Sequence, residues 1–318
     1  MTKRKVFFRA DAGAQIGYGH FIRTLALADM LKDDFDCTFF TQSPSEYQQR
    51  EAEKVCPLVS LPSDESKFEK FLEYLNGDEI VVLDNYFFTS EYQKQIKDKG
   101  CKLVCIDDMH DKHYYADVVI NHGLTDESLF DKEPYTRLCL GFDYALLRKP
   151  FLQKKNEINR KKGHWFICFG GTDFKNLTEK ALCAIHDDSR VESITVVIGD
   201  AYKYEENLAK YPKALVVKNL DADMMAECML MSEFAILPSS SVCIEALACG
   251  CKVAAAYFVD NQIPYYEEWS TKGYILGLNG LYKNISNDVI DLLKNNKFLS
   301  NTAFDNIAAR YIKVFKIM

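Results

Sequence analysis

The sequence predicts an α/β fold of two doubly wound, parallel-sheet domains facing a cleft. Three observations predict it. Short runs rich in Val, Ile and Phe alternate with helical patterns along the chain, which is how βα repeats read. The runs carry apolar residues on both faces, as strands covered by helices on each side do. The alternation also breaks once, at the polar and basic stretch "RKPFLQKKNEINRKKGHW" (148–165), and then starts again. A chain of 318 residues is long enough for two cores. A surface excursion within one domain is the alternative for that stretch; the renewed alternation favours a linker.

The elements follow in order. "KVFFRA" is a strand and a helix runs from Tyr18 to about Leu31. "CTFFTQ" is a second strand, residues 64–75 are helical, and "EIVVLDNY" is a third strand ending in polar groups. Residues 90–99 are helical, "KLVCIDD" is a fourth strand, and "DVVINHG" and "RLCLGFDYALL" come next. After the linker come "HWFICFGG", a helix from Asn176, "SITVVIGD" and "ALVVKNL". A helix over 222–231, "FAILPSS", a helix from Val242 to Cys249 and "KVAAAYF" complete the series. The expected domains are 1–150 and 151–300. A last helix, within 301–318 or starting near 300, is expected to pack back on the first domain. No strict repeat or low-complexity tract is present.

Composition narrows the function classes. The chain is 48% hydrophobic and 27% charged, with a formal net charge of -7 and no long Lys/Arg block. Nucleic acid and anionic membrane are therefore not expected as main partners. No apolar run approaches the ~18 residues of a membrane span. The apolar run at the start ends at Arg9, too short for a signal-peptide core. The eleven cysteines include no Cys-x-x-Cys pair, so they read as buried thiols of a reducing, cytoplasmic protein. No cofactor and no metal is expected, and the chain is expected to act as a monomer.

Ligands of open parallel sheets bind beyond the carboxyl ends of the strands. Polar groups recur there: Asp11 through His20, Asp84-Asn85-Tyr86, Asp107-Asp108, Gly170 through Asp173, Gly199-Asp200, Pro238 through Ser241, and Asp260 through Gln262. In "IGYGHFIRTLALADML" (16–31) the glycines let a ligand approach the backbone. The helix that follows points N–H groups and a partial positive charge at it. The full Gly-x-Gly-x-x-Gly fingerprint is lacking, so a dinucleotide site fits poorly. His20, in the first helical turn, is expected to stay neutral and able to take a proton from water; a capping or packing role stands beside that reading. Arg23 lies on the same helix face, suited to a phosphate, a carboxylate or a structural salt bridge. "LPSSSVCIEALACG" (237–250) places three serines before a helix, suited to a diphosphate or to plain capping. Glu245, one turn in, suits the hydroxyls of a ribose. Asp107-Asp108 can ligate Mg²⁺, but neighbours on an extended segment point apart, and one of the pair is expected to cap a loop. His110, His113 and His122 fit no zinc spacing.

"RADAGAQIGYGHFIRTLALA" resembles the Asp-Ala-Ser…Ile-Gly-x-Gly-His-x-x-Arg opening of the UDP-sugar hydrolases of the pseudaminic acid pathway. These release UDP from UDP-2,4-diacetamido-2,4,6-trideoxy-β-L-altropyranose. "VCIDDMHDKHYYADVVINHG", "LGFDYALLRKPF", "FGGTD", "IEALACG" and "VDNQ" extend the likeness over about residues 6–275. The Glu-bearing helix is shared with UDP-sugar glycosyltransferases of two Rossmann-like domains, a GT-B-like fold that includes the enzyme adding N-acetylglucosamine to lipid I. The resemblance implies that His20 is catalytic; from their places at the strand ends, Asp11, Gly17, Tyr18, Gly19, Arg23, Asn85, Tyr86, Asn261 and Gln262 are expected to contact the sugar nucleotide. It implies that Gly170, Gly171, Thr172, Ser239, Ser240, Ser241, Val242 and Glu245 hold UDP. Two positions depart from the pattern: Gly13 replaces a serine, and "SSSVCIEAL" replaces a more glycine-rich segment. The expected reaction is metal-independent attack of His20-activated water on the anomeric carbon with inversion, in the synthesis of a bacterial surface sugar. A UDP-sugar glycosyltransferase and a non-catalytic sugar-nucleotide binding protein are the alternatives.

Overall fold

The structure, a computed structural model, describes residues 3–13, 17–152, 160–171, 173–278, 289–295 and 304–318. It contains two compact units, Met1–Lys149 with Ala303–Met318, and Pro150–Thr302.

In the first unit seven strands form one parallel sheet: β1 (Lys5–Ala10), β2 (Asp36–Gln42), β3 (Leu58–Leu61), β4 (Ile80–Asp84), β5 (Lys102–Ile106), β6 (Val118–Asn121) and β7 (Arg137–Leu140). Their order is β3-β2-β1-β4-β5-β6-β7, every pair parallel. The helices are α1 (Gly19–Leu31), α2 (Glu46–Glu53), α3 (Ser66–Glu73), α4 (Ser90–Asp98) and the short α5 (Lys149–Leu152) at the boundary between the units. All five residues of β4 are buried, as a strand covered on both faces requires. Winding outward from β1 to β3 and resuming at β4 makes a switch point between β1 and β4. The register sets Ala10 beside Asp84, so the two loops leaving these strands start at one level. That is where open sheets take ligands.

The sequence reading names neither α2 nor β3. α2 buries only Gln48 and Ala52 and is fixed by a capping box between Ser45 and Gln48; β3 is a four-residue edge strand.

The second unit repeats the plan with β8 (Lys161–Cys168), β9 (Ser193–Ile198), β10 (Ala214–Lys218), β11 (Ser232–Pro238), β12 (Lys252–Ala256) and β13 (Leu276–Gly277). The order is β10-β9-β8-β11-β12-β13, all parallel, so the switch point lies between β8 and β11. α6 (Leu177–Ile185), α7 (Ala222–Met231), α8 (Ser241–Ala248), α9 (Ile263–Thr271) and α10 (Val289–Asn295) are its helices. The core includes Trp165, Ile167, Val196 and Ile236, with Trp165 stacked on Phe234 at 4.8 Å. The stretch read as a linker ends earlier than expected: β8 begins at Lys161, whose side chain and that of Lys162 are solvated while the strand is buried from Gly163 on. Residues 153–159 lie outside the described residues.

α11 (Ile307–Lys316) belongs to the first unit. It buries Ile307, Tyr311, Val314 and Phe315, with Phe315 edge-on to Phe35 at 6.0 Å and the Tyr311 hydroxyl donating to the Tyr144 carbonyl at 2.5 Å. The helix is shorter than the expected span, and residues 300–303 lie outside the described residues. Among the described residues no helix is long and apolar enough to cross a membrane.

Candidate functional site

At the first switch point, positions 20, 23 and 24 are three and four residues apart, so α1 turns His20, Arg23 and Thr24 to one face. All three meet Asp84, the last residue of β4. His20 Nδ1 lies 2.7 Å from Asp84 Oδ1. Arg23 grips the carboxylate with two N–H groups, Nη2 to Oδ1 at 2.6 Å and Nε to Oδ2 at 2.7 Å, and the Thr24 hydroxyl donates to Oδ2 at 2.8 Å. Burial works to raise the Asp84 pKa, but Arg23 and His20 beside it outweigh burial and hold the carboxyl well below the usual range. An ionised carboxylate only accepts, so the contact with Asp84 calls for a proton on His20 Nδ1, the nitrogen that Arg23 Nη2 also approaches to 3.0 Å.

A second acid joins through Arg23. Nη1 donates to Asp108 Oδ2 at 3.1 Å, and the Tyr86 hydroxyl donates to the same oxygen at 3.2 Å. Burial opposes ionisation of Asp108, yet Arg23 and His20 keep its carboxyl below the usual range. The Tyr86 ring stands edge-on to His20 with centroids 4.6 Å apart and is 45% exposed. Asp107 turns the other way and caps its loop, accepting from the Met109 and His110 N–H groups. His122, buried at the end of β6, is driven down to about 3 by burial and by Arg23; its Nδ1 accepts from the Leu146 N–H at 3.4 Å.

The glycine loop is closed by reciprocal hydrogen bonds between Gly13 and Gly17. Among the described residues, a Cβ added at Gly13, Gly17 or Gly19 would meet nothing within 4 Å, so no described neighbour requires these positions to lack a side chain. Tyr18, the α1 N-cap, makes no side-chain cap bond, and no acid occupies the first turn. The positive end of the helix dipole is therefore not offset by its own side chains.

Several sequence candidates take framework positions. Asp11 is 0% exposed; its carboxylate accepts from both ends of the Arg9 guanidinium and from the Gln42 N–H. Asn85 ties that residue to β4, accepting from the Asp11 N–H at 2.6 Å. Both hold the loops instead of facing open space. Tyr18 packs edge-on against Tyr47 at 5.3 Å. Arg23 is buried and makes salt bridges to both carboxylates.

The second switch point has its own polar loops. Gly170, at φ +81°, and Gly171 are exposed, and a Cβ at either meets nothing within 4 Å. A Cβ at Gly199 would stand 2.5 Å from Gly171 Cα, so the loops after β8 and β9 touch backbone to backbone. Asp173 caps α6, accepting from Leu177 and Thr178 N–H groups at 2.8 and 2.7 Å. Ser240, the α8 N-cap, makes no side-chain cap bond, so the capping alternative is not what this serine does. The Ser239 hydroxyl is fully buried without a hydrogen-bond partner among the described residues. Ser241 and Val242 open α8, and Glu245 is buried one turn in. Asn261 and Gln262 lie in a 3₁₀ turn after β12, where Gln262 Oε1 accepts from the Phe258 N–H at 3.1 Å. Thr172 lies outside the described residues. Asn261 and Gln262 thus belong to the second unit and the other substrate candidates to the first.

Sequence reasoning places Asp84 and Asp108 at the ligand side of the strands but gives neither of them a part in holding His20. The available signal is the acid closing the apolar run "IVVLD": a charge at the end of a buried strand needs partners. Among the described residues no group of three or more His, Cys, Asp or Glu is arranged to hold a metal.

Two parallel α/β sheets of seven and six strands, each with its polar loops at the switch point, define a GT-B-like protein with two Rossmann-like units. Solved structures agree. Acinetobacter baumannii MurG superposes with a TM-score of 0.66 over 99% of this chain and 100% of its own at 12% identity. Anabaena HepE in complex with UDP does so at 0.57 over 98% and 94% with 13% identity. In sequence, the chain is similar to the UDP-2,4-diacetamido-2,4,6-trideoxy-β-L-altropyranose hydrolase of Campylobacter jejuni, 29% identical over 285 residues, 85% of this chain and 97% of the relative. It is also similar to the spore coat polysaccharide biosynthesis protein SpsG of Bacillus subtilis, 26% identical over 85% of this chain and 82% of SpsG. An uncharacterized protein of Methanocaldococcus jannaschii is 29% identical over 84% of this chain, which spans 58% of that relative's length. No protein-family profile matches the chain.

Proposed function

We propose that the protein is a UDP-sugar hydrolase that releases UDP from a diacetamido-trideoxy-hexose by attack of water on the anomeric carbon, in pseudaminic-acid-type sugar biosynthesis. The observation that carries the reading is His20 held through Nδ1 by an ionised Asp84, in a chain similar along 85% of its length to a Campylobacter hydrolase of that substrate. The water oxygen bonds to C1 as the C1–O bond to UDP breaks, and the water proton passes to His20 Nε2. Attack opposite the leaving group inverts the centre. UDP leaves readily, so no strong acid is required. A positioned base contributes ~10²–10⁴ in rate.

UDP is assigned to the second unit. The open face of Gly170 and Gly171, the uncapped start of α8 and the Ser239 hydroxyl suit a diphosphate, Glu245 the ribose hydroxyls, and Asn261 the sugar's amide groups. The residues of the first unit fit a water-activating role that needs no metal.

A second reading has support in the fold, which glycosyltransferases share; fold does not separate the two. Incubation with UDP-2,4-diacetamido-2,4,6-trideoxy-β-L-altropyranose and no acceptor, followed by NMR, tests the proposal. Release of UDP with free sugar of inverted anomeric configuration is expected. An intact substrate that yields UDP only when an acceptor sugar is added would establish the transferase instead.

A further inference from the structure

Arg23 is buried, and its three nitrogens are engaged: Nε and Nη2 on Asp84, Nη1 on Asp108, with Nη2 also 3.0 Å from His20 Nδ1. The contact that matters chemically lies one bond further on. Asp84 Oδ1 takes both Arg23 Nη2 and His20 Nδ1, and Asp108 Oδ2 takes both Arg23 Nη1 and the Tyr86 hydroxyl. One guanidinium thus fixes the acid that holds the His20 ring from one side and the acid that holds the Tyr86 ring against it from the other.

We propose that Arg23 is a positioning residue. By gripping Asp84 with two parallel N–H groups, it fixes Nδ1 of His20 as the protonated nitrogen and leaves Nε2 to accept the proton of water. This rests on His20 being the base. The paired N–H groups of a guanidinium stop a carboxylate from turning; a lysine ammonium supplies the charge without that fork. If Arg23 is lost, Asp84 keeps only Thr24 and His20, the carboxylate rotates, and the ring is free to exchange tautomers.

The test uses the full chain with ¹⁵N-labelled histidine at pH 8.5, the His20 signals being assigned by their absence in His20→Asn. In the wild type the expected pattern is a protonated Nδ1 and a bare Nε2. In Arg23→Gln the two signals should move toward an averaged pair, and in Arg23→Lys part of the way. With an active substrate, kcat should fall about 10–100-fold in both variants while KM stays within about threefold. Circular dichroism establishes that each variant is folded; should Arg23→Gln not fold, Arg23→Lys carries the test. An unchanged nitrogen pattern in a folded variant overturns the proposal whatever the turnover. So does a raised KM with unchanged kcat, which would return Arg23 to substrate contact. The nitrogen signals need no substrate, so a wild type that hydrolyses no UDP-sugar defeats the hydrolase reading while the NMR still decides the role of Arg23.

Discussion

His20, Arg23 and Thr24 share one helical face because of their spacing, and the spacing is written in the sequence. Their common partner is not: Asp84 lies 60 residues or more away in the chain, and only the strand order β1-β4 brings it to the start of α1. The histidine was therefore legible from its motif, while the acid that orients it was not. For the base itself, His20→Asn should reduce turnover ~10²-fold or more with the UDP dissociation constant unchanged; steady-state rates and calorimetry with UDP measure the two. Lost binding with intact saturated turnover would remove His20 from the reaction. A second buried histidine ties stability to pH. With the His122 pKa down at about 3, below that of an unfolded chain, the unfolded state binds a proton from about pH 6.5 downward while the folded state does not. Stability thus falls between about pH 6.5 and pH 3, by at most about 1.4 kcal/mol per pH unit. Asp84 and Asp108 are held low, so their stabilising contribution begins to be lost only below about pH 5, as the unfolded carboxylates take up protons, and does not account for the slope between about pH 6.5 and 5.5. Urea unfolding at pH 7.5, 6.5, 5.5 and 4.5 should show His122→Asn to be less pH-dependent than the wild type; equal slopes would contradict the assignment.

Among the elements, those with a strong local signal were readable. α7 matches the expected 222–231, because Asp221 caps it, accepting from the Met224 N–H at 2.9 Å, and its buried residues recur at helical spacing. α2 escaped because "EYQQREAE" has no apolar stripe, and β3 because four residues at a sheet edge, only one of them buried, give too short a pattern. The two glycines that meet in the second unit look alike in sequence and differ in surroundings. A Cβ at Gly199 would clash with Gly171 backbone, whereas a Cβ at Gly171 enters open space. Gly199→Ala should destabilise the unit by about 1–3 kcal/mol, as overpacking does. Gly171→Ala should leave stability within about 0.5 kcal/mol and weaken UDP about tenfold, because the added methyl occupies room assigned to the diphosphate. Thermal denaturation and UDP titration separate the two variants, and full UDP affinity in Gly171→Ala would move the nucleotide away from this loop.

At the scale of the whole molecule, the chain leaves the first unit after Lys149 and comes back to it for its last helix. No local pattern in the sequence shows where α11 docks; its partners, Phe35, Asp143 and Tyr144, are set by the first unit's packing. Burying Ile307, Tyr311, Val314 and Phe315 removes apolar surface at about 1.5–3 kcal/mol per large side chain, partly offset by the entropy of ordering the helix. Deleting residues 304–318 should therefore cost the first unit several kcal/mol, roughly 10 °C in melting temperature for a unit of this size. The tryptophans make the prediction specific. The chain has two, Trp165 and Trp269, both buried and both in the second unit. Tryptophan emission therefore follows the second unit, while far-ultraviolet circular dichroism follows both. In the deletion variant the dichroism should show an early transition that the wild type lacks, and the tryptophan transition should stay where it was. A tryptophan transition lowered by the same amount, or a dichroism curve with no early step, would show that α11 does not stabilise the first unit in the way its buried face implies.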